Sequence, residues 1–185
     1  HPTPPRWLRG LSDDDFFAAP PLVMANGDLT YTPADDVNGT VTSTVKVQDS
    51  GGLAVVGDDN ESPVSAPFTI TVNSVNDRPT ISLNPLSAID EDAGMQTVNG
   101  FAEFAVGADN ESGQTIDSFL ITGLNNPGLF TPTGQPAIDK NSGDLSYTPA
   151  THANGAVTFN VAVRDTGGGD DTSAALPATF TINAV

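Results

Sequence analysis

Apolar and polar residues alternate along several short stretches of the chain. In residues 41–48, VTSTVKVQ, one face carries Val41, Ser43, Val45 and Val47, and the other face is polar. Residues 157–163 repeat the pattern with Val157, Phe159, Val161 and Val163. A period of two is typical of a half-buried β-strand. Shorter alternations at 29–31, 68–72, 145–147 and 180–182 predict further strands.

Turn-forming dipeptides separate these stretches. Asn-Gly occurs at 26, 38, 99 and 154, and Gly-Gly at 51 and 167, as tight connections between antiparallel strands require. No stretch has the period of a long amphipathic helix. About seven short strands in roughly 110 residues are typical of a β-sandwich. We therefore predict an all-β chain of immunoglobulin-like or cadherin-like sandwich modules with Greek-key topology.

Two segments of the chain are closely similar to each other. Residues 27–52 read GDLTYTPADDVNGTVTSTVKVQDSGG, residues 143–168 read GDLSYTPATHANGAVTFNVAVRDTGG, and 16 of the 26 aligned positions are identical. The similarity ends with TVNSV at 71–75 and TINAV at 181–185. Self-similarity of this kind indicates tandem units. We predict a first unit at 1–75 and a complete second unit at 76–185.

The first of these units is incomplete. Residues 76–119 have no counterpart in it, and a gap of that length removes about two or three strands of a sandwich. Strand edges and apolar faces, including that of Ile70, would then be uncovered. We expect the missing strands to belong to a longer parent protein. The first unit should be disordered or take strands from another copy by strand exchange.

Composition and charge narrow the possible partners. The chain has 23 acidic and 6 basic residues, a net charge of −17, and no cysteine. Binding to nucleic acid or to an anionic membrane surface depends on Lys and Arg, so this charge argues against both. No apolar run approaches the roughly 20 residues of a membrane-spanning helix, so we expect no membrane insertion by this fragment. A basic partner or a divalent cation is the expected counterpart of this negative charge.

Acidic and amide side chains are concentrated around the boundary between the two units. The candidate metal ligands are Asn73, Asn76, Asp77, Asp90, Glu91, Asp92, Asp109 and Glu111. A hard cation such as Ca²⁺ takes six to eight oxygen ligands, and a sandwich could fold these segments to one end. We predict a calcium site at the joint. Two alternatives stay open: Asn76-Asp77-Arg78-Pro79 as an ordinary turn between domains, and residues 90–92 as a solvated loop.

Other polar residues favour structural roles. Asp49 and Asp165 each precede a small residue and Gly-Gly, which is typical of a turn, and residues 170–171 are predicted to be an exposed hairpin tip. The histidines are His1 and His152, and Asp36 stands at the position of His152 in the other unit. A catalytic base would not be exchanged in this way. No G-x-S-x-G, H-E-x-x-H or phosphate-binding loop is present, so we predict no enzymatic activity.

The order of these motifs resembles a known family. TYTPADDVNG and VKVQDSGG, their second copies, and then FTITVNSVNDRPTI and IDEDAG are similar to the cadherin-like and immunoglobulin-like tandem repeats of large bacterial surface adhesins. The resemblance covers almost the whole chain from Trp7 onward. It implies a non-catalytic extender of a secreted cell-surface adhesin, with neighbouring repeats as partners and calcium stiffening the joints.

A calcium-dependent carbohydrate- or protein-binding module is the alternative. Such a module would present exposed aromatic residues near its acidic loops. Only 6% of the residues are aromatic, and most are Phe at positions predicted to face inward. We therefore favour the extender.

Overall fold

The computed structural model describes residues 6–9, 15–24, 26–47 and 64–185. The chain divides into two compact units, His1–Ser74 and Val75–Val185. The described residues form fourteen β-strands and two three-residue 3-10 turns, Asp109–Glu111 and Pro127–Leu129. The prediction of an all-β chain is confirmed. Across the described ranges, no helix is long and apolar enough to cross a membrane.

The first unit contains two small antiparallel sheets. Its strands are β1 (Arg6–Arg9), β2 (Phe17–Val23), β3 (Leu29–Pro33), β4 (Gly39–Val47) and β5 (Phe68–Val72). One sheet has the order β1-β4-β5, and the other is the β2-β3 hairpin. Phe16, Phe17, Val41 and Ile70 form the buried core. The expectation that the face of Ile70 is uncovered was therefore wrong.

The second unit has nine strands. They are β6 (Thr80–Leu83), β7 (Ile89–Asp90), β8 (Gln96–Val98), β9 (Ala102–Ala105), β10 (Ile116–Thr122), β11 (Ala137–Ile138), β12 (Leu145–Tyr147), β13 (Gly155–Asp165) and β14 (Leu176–Asn183). One sheet has the order β10-β13-β14-β7, and the remaining strands pair as β11-β12-β8 and β6-β9. All pairs are antiparallel except β14 with β7.

The core of the second unit lies between these layers. Along β13, Val157, Phe159, Val161 and Val163 are buried, and the intervening Thr158 and Asn160 are exposed. The apolar face of Val157, Phe159 and Val161 meets side chains from the other layer. Phe101, Ala102, Leu145 and Tyr147 share one cluster with these three residues and with β14. The predicted period of two is confirmed in this strand, and the packing has the two-layer character of a β-sandwich.

The Asn99-Gly100 turn lets one segment serve two strand pairs. Gly100 has a φ of 61°, which a glycine adopts without strain, and its N–H donates to Asp144 Oδ1 at 2.6 Å. Before the turn, β8 pairs with β12; after it, β9 pairs with β6. The turn therefore joins the two strand pairs into a continuous layer over the core.

The repeated sequence folds into repeated structure. Trp7 pairs with Lys46 between β1 and β4, and the equivalent Leu120 pairs with Ala162 between β10 and β13. The rings of Phe17 and Tyr31 meet edge to face at 5.8 Å, and those of Phe130 and Tyr147 do so at 5.9 Å. Equivalent positions of the two units thus make the same strand pairing and the same ring contact.

Candidate metal centre

The second unit begins with a segment that is held against two of its loops. Asn76 Nδ2 donates to the carbonyl oxygens of Asp77 and Asp170, each at 3.1 Å. The Asp77 N–H donates to Glu111 Oε1 at 2.7 Å. Because Asn76 Nδ2 has two acceptors, the amide orientation is determined by its hydrogen bonds and Oδ1 faces the opposite way.

Glu111 is buried, although its side chain is a carboxyl group. It ends the Asp109–Glu111 turn and is only 3% exposed, whereas Asp109 in the same turn is exposed. The close approach of Gly107 makes this possible. A Cβ at Gly107 would overlap Glu111 Oε2 and lie 2.7 Å from Asp77 Cβ.

Asp165 is the second buried carboxylate. It ends β13 and is 2% exposed. Its Oδ1 accepts from the Gly167 N–H at 2.9 Å. The following loop lies against residues 114–116, since the Thr166 N–H donates to the Thr115 carbonyl oxygen at 3.0 Å. A Cβ at Gly167 would overlap both Asn76 Oδ1 and Gln114 Oε1, so these two amide oxygens are in each other's immediate neighbourhood.

Four buried side-chain oxygens in this region have no hydrogen-bond partner among the described residues. They are Asn76 Oδ1, Glu111 Oε2, Gln114 Oε1 and Asp165 Oδ2. We call these four residues the acceptor cluster. Every unpaired atom is an acceptor, and leaving such atoms buried without a partner costs about 1–3 kcal/mol each. Unpaired oxygen acceptors of this kind are the groups that a hard cation binds.

The chemistry of the acceptor cluster suits a hard cation. Carboxylate and amide oxygens are the donors that Ca²⁺ prefers. In the described part of the chain, no three His, Cys, Asp or Glu side chains are grouped as a metal site. The candidate set instead combines two carboxylates with two amides. Its four oxygens are fewer than the six to eight that Ca²⁺ takes, which leaves positions for water or neighbouring oxygens.

Two arginines neutralise the loop beside the acceptor cluster. Arg78 contacts Asp170, and Arg164 contacts Asp171, each at 2.8 Å. The hydrogen bond and charge of Arg78 lower the pKa of Asp170. Hydrogen bonds from Thr172 and Arg164 lower the pKa of Asp171. The prediction that residues 170–171 form an exposed hairpin tip omitted these ion pairs. Among the described residues, neither arginine pairs with the unpaired carboxylate oxygens of the acceptor cluster.

The acidic segment 90–92 lies at the other end of the second unit. Asp90 pairs with Asn183 at the end of β14, near the start of β13, whereas Asp165 ends β13. Since β13 has 11 residues, these ends are on the order of 30 Å apart. The expectation that Asp90, Glu91 and Asp92 share one site with Asn76 and Asp77 was therefore wrong.

The carboxylates of segment 90–92 also have protein partners. Asp90 accepts from Asn183 Nδ2 at 3.3 Å. Glu91 accepts from Asn154 Nδ2 at 3.0 Å and from the Val185 N–H at 3.1 Å. Asp92 accepts from the His152 N–H at 2.9 Å and lies 3.1 Å from its imidazole Nδ1. These contacts connect the segment to the end of its own unit.

The remaining candidate ligands, Asn73, Asp77 and Asp109, do not belong to the acceptor cluster. Asn73 follows β5 in the first unit and is exposed. Asp77 contributes its backbone N–H to Glu111, while Asp109 points to solvent. Asp49, the counterpart of Asp165, lies outside the described residues. Sequence reasoning missed Gln114 and assigned Asp165 to a turn. The signal available was the recurrence of Asp-x-Gly-Gly in both units.

Comparison with protein-family models and with curated proteins assigns no function to this site. No protein-family model matches the chain, and no curated protein matches it significantly. The function is therefore inferred from the residues themselves.

Proposed function

We propose that the acceptor cluster binds one Ca²⁺ ion and that the chain is a calcium-stiffened extender of a secreted bacterial surface adhesin. The observation that carries the metal proposal is the set of four buried, unpaired oxygens. A divalent cation is attracted to carboxylate oxygens and would give the unpaired ones a partner.

The location of the acceptor cluster gives calcium its proposed mechanical role. Asn76 comes from the first residues of the second unit, Glu111 and Gln114 from the segment before β10, and Asp165 from the end of β13. An ion bound by all of them holds the incoming chain to two separate parts of the sandwich. It therefore restricts the directions that the preceding segment can take. Neighbouring repeats of the same polypeptide are the proposed partners.

The strand order supports an immunoglobulin-like, cadherin-like module. One layer has β10-β13-β14-β7, and the other has β6-β9 and β8-β12-β11. With β8 and β9 counted as one bent strand and the two-residue β7 left out, this order supports the proposal of a seven-stranded Greek-key sandwich. Such modules in series make extended, non-catalytic spacers. The resemblance of the motifs to adhesin repeats supports the cell-surface location.

The burial of the acceptor cluster disfavours the alternative of calcium-dependent carbohydrate binding. An ion that grips sugar hydroxyls needs open coordination positions at the surface. Glu111 and Asp165 are instead 3% and 2% exposed. A glycan array probed with the full chain, with and without chelator, tests this directly. Calcium-dependent glycan binding would reverse the choice between the two functions.

Isosteric variants test the metal site. Glu111→Gln and Asp165→Asn keep the shape of each side chain but remove its charge. With an affinity on the order of 10⁻⁴ M, typical of extracellular modules, 10 mM Ca²⁺ would stabilise the wild type by about 2.7 kcal/mol. We expect both variants to lose most of this gain in thermal unfolding and to bind Ca²⁺ weakly in calorimetry.

Asp109→Asn is the matched control, because Asp109 is exposed in the same turn as Glu111. It should retain the calcium response, as should Asp90→Asn at the opposite end. An equal loss of the calcium response in the two site variants and the two controls would indicate that Ca²⁺ acts by general screening of the negative charge. Equal stabilisation of the wild type by Mg²⁺ would argue against a site shaped for calcium.

A further inference from the structure

We propose that the edge of β3 opposite β2, which has no neighbouring strand among the described residues, accepts an added β-strand. The incoming strand has the sequence pattern of Gln96–Val98 and comes from another repeat unit of this kind. This inference is independent of the calcium site. It rests on a difference between two equivalent strands in the two units.

In the second unit, β8 occupies the equivalent edge position beside β12. There, β12 lies between β11 and β8, with Leu145 opposite Val98 and Tyr147 opposite Gln96. In this setting Leu145 and Tyr147 are 0% and 2% exposed.

The equivalent strand in the first unit has one neighbour. Leu29 and Tyr31 of β3 stand where Leu145 and Tyr147 stand in the repeat. Within the described ranges, β3 pairs with β2 alone. Tyr31 keeps the ring contact with Phe17 but is 43% exposed. Among the described residues, no strand takes the place that β8 has in the second unit, and the Tyr31 side chain is correspondingly more exposed than that of Tyr147.

The backbone direction at this edge follows from one hydrogen bond. The Asp28 carbonyl oxygen accepts from the Met24 N–H at 2.7 Å, so residue 28 faces the β2 side of the hairpin. Successive residues of a strand direct their N–H and C=O groups to opposite sides. Leu29 and Tyr31 therefore present theirs to the other edge. Open main-chain groups beside an apolar face are a template for strand addition.

The chemistry of the partner strand follows from the second unit. Val98 would face Leu29, and Gln96 would face Tyr31, in the register of β8 on β12. Residues 94–106, GMQTVNGFAEFAV, carry a single charge, that of Glu103. An acidic chain with a net charge of −17 does not strongly repel such a segment. An apolar, nearly uncharged strand is thus the occupant that fits.

A synthetic peptide of residues 94–106 provides the test with the full chain. Binding of the labelled peptide is followed by fluorescence anisotropy. In the proposed register, Val98 forms a hydrogen-bonded pair with Leu29, and Thr97 directs its N–H away from β3. We expect N-methylation at Val98 to weaken binding about tenfold, and N-methylation at Thr97 to leave it unchanged.

Hydrogen exchange locates the bound peptide. Protection should appear in residues 27–34 and not in the equivalent residues 143–150, whose β12 already has its partner. Three results would overturn the proposal: absence of binding, equal binding of the two methylated peptides, or protection at 143–150. It would also be overturned if β3 of one chain pairs with β3 of a second copy instead of with the peptide.

Discussion

Gly167 is the residue at which a single added methyl group would most directly obstruct the acceptor cluster. A Cβ there would overlap Asn76 Oδ1 and Gln114 Oε1, so one or both amides must move. We expect Gly167→Ala to weaken Ca²⁺ binding by about tenfold or more, since displaced ligands lose coordination. Titration calorimetry after chelator treatment measures this effect.

Gly113→Ala is the matched control for this substitution. A Cβ at Gly113 meets no atom within 4 Å, and it lies in the same loop as Gln114. It should bind Ca²⁺ as the wild type does. Unchanged affinity in Gly167→Ala would mean that the two amide oxygens are not ligands.

Tyr147 gives the second unit a specific sensitivity to alkaline pH. Burial raises the pKa of the Tyr147 hydroxyl above its ordinary value of 10.0, so the folded state holds this proton more tightly than the unfolded state. The stabilisation is complete below about pH 10 and is lost as the pH rises through the folded pKa. Tyr147→Phe should therefore flatten the decline of unfolding free energy between about pH 9 and 11. Urea unfolding across this range checks the slope. A parallel decline in both proteins would contradict the assignment.

Equivalent strands should differ in their response to the same truncation. Leu145 in β12 is fully buried between two neighbouring strands, whereas Leu29 in β3 is half-buried beside one described neighbour. We expect Leu145→Ala to cost the second unit about 2–5 kcal/mol, and Leu29→Ala to cost the first unit about 1 kcal/mol. Hydrogen exchange in denaturant reports each unit separately. Equal costs would show that β3 is covered as completely as β12.

At the scale of the whole molecule, calcium should act on one unit. The acceptor cluster lies entirely within Val75–Val185, and a ligand stabilises the folded segment that binds it. Calorimetric melting should therefore show two transitions, of which Ca²⁺ raises one by several degrees. Limited proteolysis identifies the shifted transition as that of the second unit. A calcium-dependent shift of the other transition would indicate a further site in the first unit.

The sequence by itself determined the strands and the repetition. Alternation at 157–163 fixes which side chains of β13 can face a core, because successive residues of a strand point to opposite sides. The Asn-Gly and Gly-Gly pairs mark where strands end. The repeated segments predicted two units, of which the first has no counterpart of residues 76–119. Each of these properties depends on neighbouring residues or on the similarity of one segment to another, so the sequence alone reveals it.

Only the tertiary structure decided which polar residues meet. Asp77 and Asp90 are close in sequence, yet the strand directions send them to opposite ends of the second unit. Asp165 and Gln114 are distant from Asn76 in sequence, but the loops after β13 and before β10 bring them together. A ligand set depends on strand length, direction and pairing, none of which a local pattern contains. For the same reason, the sequence indicated an abundance of carboxylates, and only the fold showed that, among the described residues, Glu111 and Asp165 each have one buried oxygen without a hydrogen-bond partner.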